Sequence, residues 1–203
     1  SAAAASPATD PGDRVALFGD LHLHTSYSLD ASASRTETLP ADAYRYAMGE
    51  PITYLGATIK RRVPLDFLAV TDHAEYLGNV RLAVQGKLQV PGAGWRELLA
   101  DLKPGPGMYE LMNRTTAGIR GESTPGLSNP ELVRTHWQDE IDAAERYNRP
   151  GRFTAFVAFE YSPTIGRDHL HRNVIFRGPK YPAMPFGATD SMQPEALWEY
   201  ANA

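Results

Sequence analysis

The sequence predicts an α/β fold, because strand-like apolar runs alternate along the chain with helical patterns. The run Phe67–Val70 is continuously apolar and turns polar at Thr71, which is typical of a strand buried on both faces. A second apolar run, 153–159, closes at Glu160. Between these runs lies the clearest helix of the sequence, 129–147, which begins with an asparagine cap and a proline at the first helical position.

The other elements follow from the same signals in chain order. A first strand is expected over 14–25, and a helix over 39–49, which has proline near its start and glycine at its end. The segment from about 78 to 150 carries no motif of recognisable chemistry and is interpreted as a helical insertion. The remaining expected elements are strands over 152–162 and 169–177 and helices over 94–102, 107–112 and 190–200.

Composition limits the classes of function. The 203 residues are enough for one domain with a sizeable core. A formal net charge of −4 gives no basic field, so duplex nucleic acid is not an expected partner. The sequence lacks the apolar run of about eighteen residues that a membrane span needs. It also lacks cysteine, which excludes disulfides and thiolate metal sites.

The first residues, 1–13, contain no large apolar side chain and are expected to be a disordered tail. Small, alanine-rich sequence of this kind often remains after a signal peptide has been removed. This favours a periplasmic or secreted protein. A simple linker would explain the same composition, and the location would then be cytoplasmic.

Two histidines in the first predicted strand suggest a metal site. In a strand alternate side chains share a face, so Asp20, His22 and His24 are expected to point to one side of the stretch Phe18-Gly-Asp-Leu-His-Leu-His-Thr25. Neutral imidazole and carboxylate are natural ligands for Zn, Mn or Fe. A His-x-His pair is nevertheless often only a pair of surface or packing histidines.

The other histidines strengthen the metal interpretation. Five of the six lie in three short clusters next to apolar runs, namely His22 with His24, His73, and His169 with His171. Glu160 closes a further apolar run. The carboxyl ends of parallel strands form the rim where α/β sheets and barrels collect ligands, so these groups are expected to meet there.

Several motifs in the same order give the sequence a family resemblance. The stretches Gly19-Asp-Leu-His-Leu-His-Thr-Ser-Tyr-Ser-Leu-Asp30, Asp66-Phe-Leu-Ala-Val-Thr-Asp-His73 and His171-Arg-Asn-Val-Ile-Phe176 resemble the PHP (polymerase and histidinol phosphatase) superfamily. The sequences of segments 71–78 and 170–178 are most similar to those of a bacterial branch of this superfamily whose function is uncharacterised. The resemblance runs from Val15 to the end of the chain. It implies a distorted TIM-like β/α barrel.

That barrel needs more strands than this chain provides, together with a further histidine and a late Asp-x-His pair. We therefore expect residues 14–203 to be the N-terminal portion of a PHP-like metallohydrolase domain. An open half-barrel of this kind would expose strand edges and tend to associate.

The resemblance also implies a function and a set of roles. Two or three divalent ions would activate water for the hydrolysis of a small phosphorylated substrate. Asp20 and Asp72 would bind metal directly or orient an imidazole, and Arg172, with Arg167 near it, would contact the phosphate. The expected metal ligands are His22, His24, Asp30, His73, Glu160 and His171.

Alternatives remain open at this point. The same scaffold could hydrolyse an amide, a lactone or a sulfate ester, or could be a catalytically idle metal-binding module. Asp30 could be only a turn or cap residue, and His169 could support the site or belong to a loop. His136, beside the apolar stripe of the 129–147 helix, is interpreted as a packing or surface histidine. Substrate, metal identity and oligomeric state do not follow from the sequence.

Overall fold

The computed structural model describes residues 15–100, 106–166 and 168–202, so the predicted tail and Arg167 lie outside the described residues. The strands within these ranges are β1 Gly19–Leu23, β2 Ile52–Tyr54, β3 Ala57–Ile59, β4 Phe67–Val70, β5 Thr154–Phe156, β6 Ala158–Tyr161, β7 Thr164–Ile165, β8 Asp168–His169 and β9 Arg172–Ile175. The α-helices are α1 Leu29–Ala33, α2 Pro40–Ala47, α3 Asn79–Val84, α4 Trp95–Ala100, α5 Pro106–Thr115, α6 Pro130–Tyr147 and α7 Pro194–Ala201, and a 3-10 helix spans Gly118–Arg120.

The main sheet is parallel, and its central strand is β4. This strand pairs with β1 on one side and with β5 on the other. The prediction of a buried strand at Phe67–Val70 is confirmed, and the first strand is shorter than the range 14–25 expected for it. Because parallel strands end at the same edge, the residues that follow β1 and β4 are brought together.

Two predicted strands are each divided in the structure. The segment 152–162 changes partner at Val157, because β5 pairs with β4 whereas β6 pairs antiparallel with β9. The segment 169–177 divides because β8 forms a short hairpin with β7 before β9 begins. A single parallel bridge between His73 and Glu160 joins the end of β4 to β6. This bridge holds two predicted ligands side by side.

The helix predicted at 129–147 is confirmed as α6, together with its cap. The side-chain oxygen of Asn129 accepts hydrogen bonds from the N–H groups of Glu131 and Leu132. The predicted apolar stripe is buried in the main core, where the Trp137 and Phe159 rings meet edge to face at 5.7 Å. The members of that stripe are Val133, Trp137, Ile141 and Ala144.

A second apolar cluster lies under the helices that follow β4. Its fully buried members include Leu29, Leu111 and Leu127, with Trp95 packed beside them. Between β4 and β5 the described residues form α3 to α6, the 3-10 helix and two isolated β-bridges, at His73 and between Arg149 and Phe153. The limits of an insertion at 78–150 stay a prediction, as does the barrel to which these small sheets would belong.

The sequence lacks an apolar run that could span a membrane, and the structure agrees with this. No helix in the described parts of the chain is both long and apolar enough to cross a bilayer.

Candidate metal centre

His22 of β1 and His24, which lies just beyond it, reach the candidate centre because β1 is held against β4. The Thr71 N–H donates to the Leu23 carbonyl at 2.9 Å, and the Thr71 hydroxyl lies 3.2 Å from the Leu23 nitrogen. This pairing fixes the backbone between His22 and His24. The His22 side chain is 55% exposed and that of His24 is 17% exposed, so one imidazole opens to solvent and the other lies deeper.

Glu160 lies at the middle of the cluster. Its backbone is fixed on both sides, since its N–H donates to the Asp72 carbonyl and its own carbonyl accepts from the Ala74 N–H. Its carboxylate is fully buried and is surrounded by four imidazoles. The Oε2 atom lies 2.8 Å from His24 Nε2, 3.5 Å from His22 Nε2 and 3.5 Å from His73 Nδ1, and Oε1 lies 2.7 Å from His171 Nδ1.

Asp30, at the start of α1, brings a second carboxylate to the same place. Its Oδ1 lies 3.1 Å from His24 Nδ1, and its Oδ2 lies 3.8 Å from His73 Nε2. The Ser28 hydroxyl donates to Asp30 Oδ1 at 2.6 Å. Asp30 therefore faces the imidazoles, and its Oδ1 also accepts from the Ala31 N–H at 2.6 Å, so its role as a ligand stays a prediction.

Three overlapping groups of side chains could hold a metal ion, and within each the candidate ligand atoms lie within 4.8 Å of one another. Together the groups contain all six side chains that the sequence predicted as ligands. The groups are His22–His24–Glu160, His24–Asp30–His73 and His73–Glu160–His171. Because each group shares a residue with another, any ions held there would be close neighbours.

The charges of these side chains depend on one another. Burial alone would lower the pKa of His24, but the carboxylates of Asp30 and Glu160 raise it to about 10. Burial alone would raise the pKa values of those two carboxyls, and the adjacent imidazoles instead lower both. The protein chain therefore holds carboxylate and imidazolium charge together, and a cation that bound there would replace the protons of the imidazoles.

Asp72 is fully buried beside the metal groups, and it contacts the segment that follows His24. It accepts hydrogen bonds from the Thr25 N–H and the Thr25 hydroxyl, which follow His24 directly. Burial raises the pKa of Asp72, and burial together with the neighbouring Asp72 carboxyl raises the pKa of Glu140 of α6 well above its ordinary value. The proposed orienting role of Asp72 stays a prediction.

The other predicted site residues occupy the margin of the cluster. Asp20 accepts a hydrogen bond from the His22 N–H at 3.0 Å. The Arg172 guanidinium donates to the Leu170 carbonyl at 2.6 Å and lies 6.0 Å from the centre of the Trp198 ring. A catalytic role for Asp20 and a phosphate contact for Arg172 stay predictions.

The two remaining histidines differ in environment. The exposed His169 has its Nδ1 3.1 Å from the Thr164 hydroxyl. His136 is buried, and its ring meets the Tyr27 ring edge to face at 4.8 Å. It also fills the space in which a side chain at Gly78 would lie. Packing accounts for His136, and burial lowers its pKa.

Sequence reasoning missed two polar residues that face His73. The hydroxyl of Ser162 lies 2.6 Å from His73 Nδ1, and the Oε2 atom of Glu75 lies 3.7 Å from the same nitrogen. Both side chains are fully buried. The spacing Asp72-His-Ala-Glu75, with an acidic residue two positions after a predicted ligand, was the available signal.

The donor set fits a divalent metal ion. Although three imidazole nitrogens lie within 3.5 Å of Glu160 Oε2, this buried oxygen accepts no well-aligned hydrogen bond from the described residues. Donors normally align with a buried carboxylate oxygen when hydrogen bonding alone satisfies it. Nitrogen and oxygen ligands converging in this way match the preferences of Zn, Mn and Fe.

Comparison with known proteins gives one match. Residues 11–203 match a family model described as "Protein of unknown function (DUF3604)". Neither the curated proteins nor the solved structures contain a significant match.

Proposed function

The chain belongs to the DUF3604 family, and from the geometry of its site we propose that it is a metal-dependent hydrolase acting on phosphoesters. The observation that carries the proposal is the buried carboxylate of Glu160 with its four surrounding imidazoles. A hydrolase needs such a cluster to be both rigid and accessible. The backbone bonds of Glu160 supply the rigidity, and the exposed edges of His22 and His171 supply the access.

The proposed ligands have distinct tasks. Bound divalent ions would supply an activated water and positive charge to balance a developing oxyanion. Glu160 has two oxygens that face different histidines, so it can serve two neighbouring positions at once. Asp30 completes the position between His24 and His73.

The overlap of the three groups supports the choice of a phosphoester. Two ions about 3.5–4 Å apart form a clamp for both the attacking and the leaving oxygen of an in-line displacement at phosphorus. The groups share His24, His73 and Glu160, so they offer closely spaced positions. The resemblance to the PHP superfamily points to the same chemistry. The donor set also suits amide, lactone or sulfate ester hydrolysis, so the substrate class needs a direct test.

The test begins with metal content. The chain, purified without chelator, should carry at least one tightly bound divalent ion by elemental analysis and should hydrolyse an aryl phosphate. A double variant, His22→Ala with His24→Ala, should lose most of that metal and at least about 10²-fold in kcat/KM, since it removes two ligands of overlapping groups.

The matched control is Tyr109→Ala, which removes an exposed ring of α5 outside the three groups. Metal content and activity should stay close to those of the unaltered chain. Cleavage of amide, lactone or sulfate substrates in place of phosphoesters would support a metal-dependent hydrolase but refute the proposed phosphoester substrate. Bound metal without any hydrolysis would favour an idle metal-binding module, and a folded chain without metal would refute the proposed function.

A further inference from the structure

Glu75 is a buried carboxylate whose side chain is held in place by hydrogen bonds and close packing. Its Oε1 atom accepts hydrogen bonds from the Ser162 N–H at 3.2 Å and from the Ala188 N–H at 2.5 Å. The side chain is fully buried and closely enclosed, because a Cβ placed at Gly118 would lie 3.0 Å from the Glu75 Cβ. The hydrogen bonds to Oε1 therefore anchor the carboxylate, and they also fix the direction in which Oε2 points.

The second oxygen of Glu75 faces His73. Oε2 is buried, has no hydrogen-bond partner among the described residues and lies 3.7 Å from His73 Nδ1. The Ser162 hydroxyl lies 2.6 Å from that nitrogen. The other ring nitrogen, Nε2, is directed toward Asp30 Oδ2 at 3.8 Å. The two sides of the His73 ring thus have different surroundings.

This difference matters because a neutral imidazole binds metal only through the nitrogen that carries no proton. Ser162 cannot choose between the nitrogens, since a hydroxyl can donate to Nδ1 or accept from it. A carboxylate only accepts, so Glu75 favours the proton on Nδ1. Glu160 Oε2 lies 3.5 Å from the same nitrogen, but as a proposed ligand it would direct its lone pairs to metal.

We propose that Glu75 is a positioning residue that keeps the proton of His73 on Nδ1 and so frees Nε2 to bind metal beside Asp30 and His24. This inference rests on the proposed metal-dependent function. It assigns His73 to one of the two groups that contain it, the His24–Asp30–His73 group. The remaining Glu160 and His171 then serve a neighbouring position without His73.

The test uses Glu75→Gln in this chain. The amide oxygen of glutamine can keep both backbone hydrogen bonds at Oε1, and the amide N–H₂ then faces Nδ1 as a donor. The proton of His73 should move to Nε2, where metal is expected to bind. Zn affinity, measured by competition with a chelator, should fall about 10–100-fold. Glu110→Gln is the matched control, because Glu110 is an exposed carboxylate paired with Arg114.

A second readout observes His73 directly. Long-range ¹H–¹⁵N NMR of the Zn-saturated chain, in which metal engages Glu160, should show the His73 proton on Nδ1 in the unaltered chain and on Nε2 in Glu75→Gln. A proton on Nε2 in the unaltered chain, or Zn affinity within about twofold in the variant, would overturn the inference. Metal binding that depends on Glu75 without any hydrolysis would leave it standing and refute only the proposed phosphoesterase.

Discussion

Asp72 shows at the scale of one residue how the site depends on side chains outside the metal groups. Its carboxylate accepts from both donors of Thr25, and that residue directly follows His24. His73 directly follows Asp72 itself. One buried carboxyl therefore ties together the backbone segments that carry two proposed ligands.

Removal of this carboxyl should destabilise the chain. Asp72→Ala leaves the Thr25 N–H without an acceptor in a fully buried place, and an unsatisfied buried polar group costs about 1–3 kcal/mol. With the cavity added, we expect the free energy of unfolding in urea to fall by about 2–4 kcal/mol. The control is Asp142→Ala, which removes an exposed carboxylate that binds Gln138. Equal stability of the two variants would contradict the supporting role of Asp72.

Single residues also show what the sequence could predict about the site. The six predicted ligands come together because each lies at or just beyond the end of a strand or at the start of a short helix. Glu75 and Ser162 could not be found in this way. Their role depends on the approach of the loop at Ala188 and of the segment after β6, and local sequence does not encode such long-range contacts.

Among the elements, α6 connects the helical segment to the sheets. It buries Trp137 against Phe159 of β6, and on the same helix burial and the neighbouring Asp72 carboxyl raise the pKa of Glu140. A change in the stability of α6 should therefore affect the whole chain rather than only one end of it.

The cap of α6 offers a direct test of this connection. Asn129→Ala removes the side-chain oxygen that satisfies two N–H groups of the first turn. Loss of an asparagine cap costs about 0.5–2 kcal/mol, and we expect a fall of about 1 kcal/mol in the free energy of unfolding. Asn113→Ala, at an exposed position inside α5, should be neutral or slightly stabilising because alanine favours helix. A neutral Asn129→Ala would indicate that α6 frays at its start without cost.

The elements also explain which boundaries were predicted well. The limits of β4 and α6 followed from strong local signals, a continuous apolar run and a capped amphipathic pattern. The division between β5 and β6 did not, because 153–159 is apolar almost throughout and both halves are suited to a strand. Only the exchange of β4 for β9 as partner separates them, and pairing partners are a tertiary property.

On the scale of the whole molecule, the buried charges make stability depend on pH. In the metal-free chain the pKa of His24 is raised from 6.5 to about 10. Its contribution to the free energy of unfolding is therefore complete below about pH 6.5 and is lost as the pH rises through about 10. The pKa values of Asp30 and Glu160 are lowered, so their contribution is present above about pH 4.5 and is lost as the pH falls below it. Metal binding reverses the alkaline trend, because it requires neutral imidazoles.

We therefore expect the metal-free chain, kept in chelator, to be most stable between about pH 4.5 and pH 6.5. The free energy of unfolding in urea should be lower at about pH 8.5 than at about pH 5.5, and His24→Ala should reduce that difference. With saturating Zn or Mn the order should reverse, since the stabilisation from a bound ligand grows with its affinity and imidazole deprotonation raises that affinity. A metal-free chain that gains stability between these two pH values would show that Asp30 and Glu160 do not hold His24 in its protonated form.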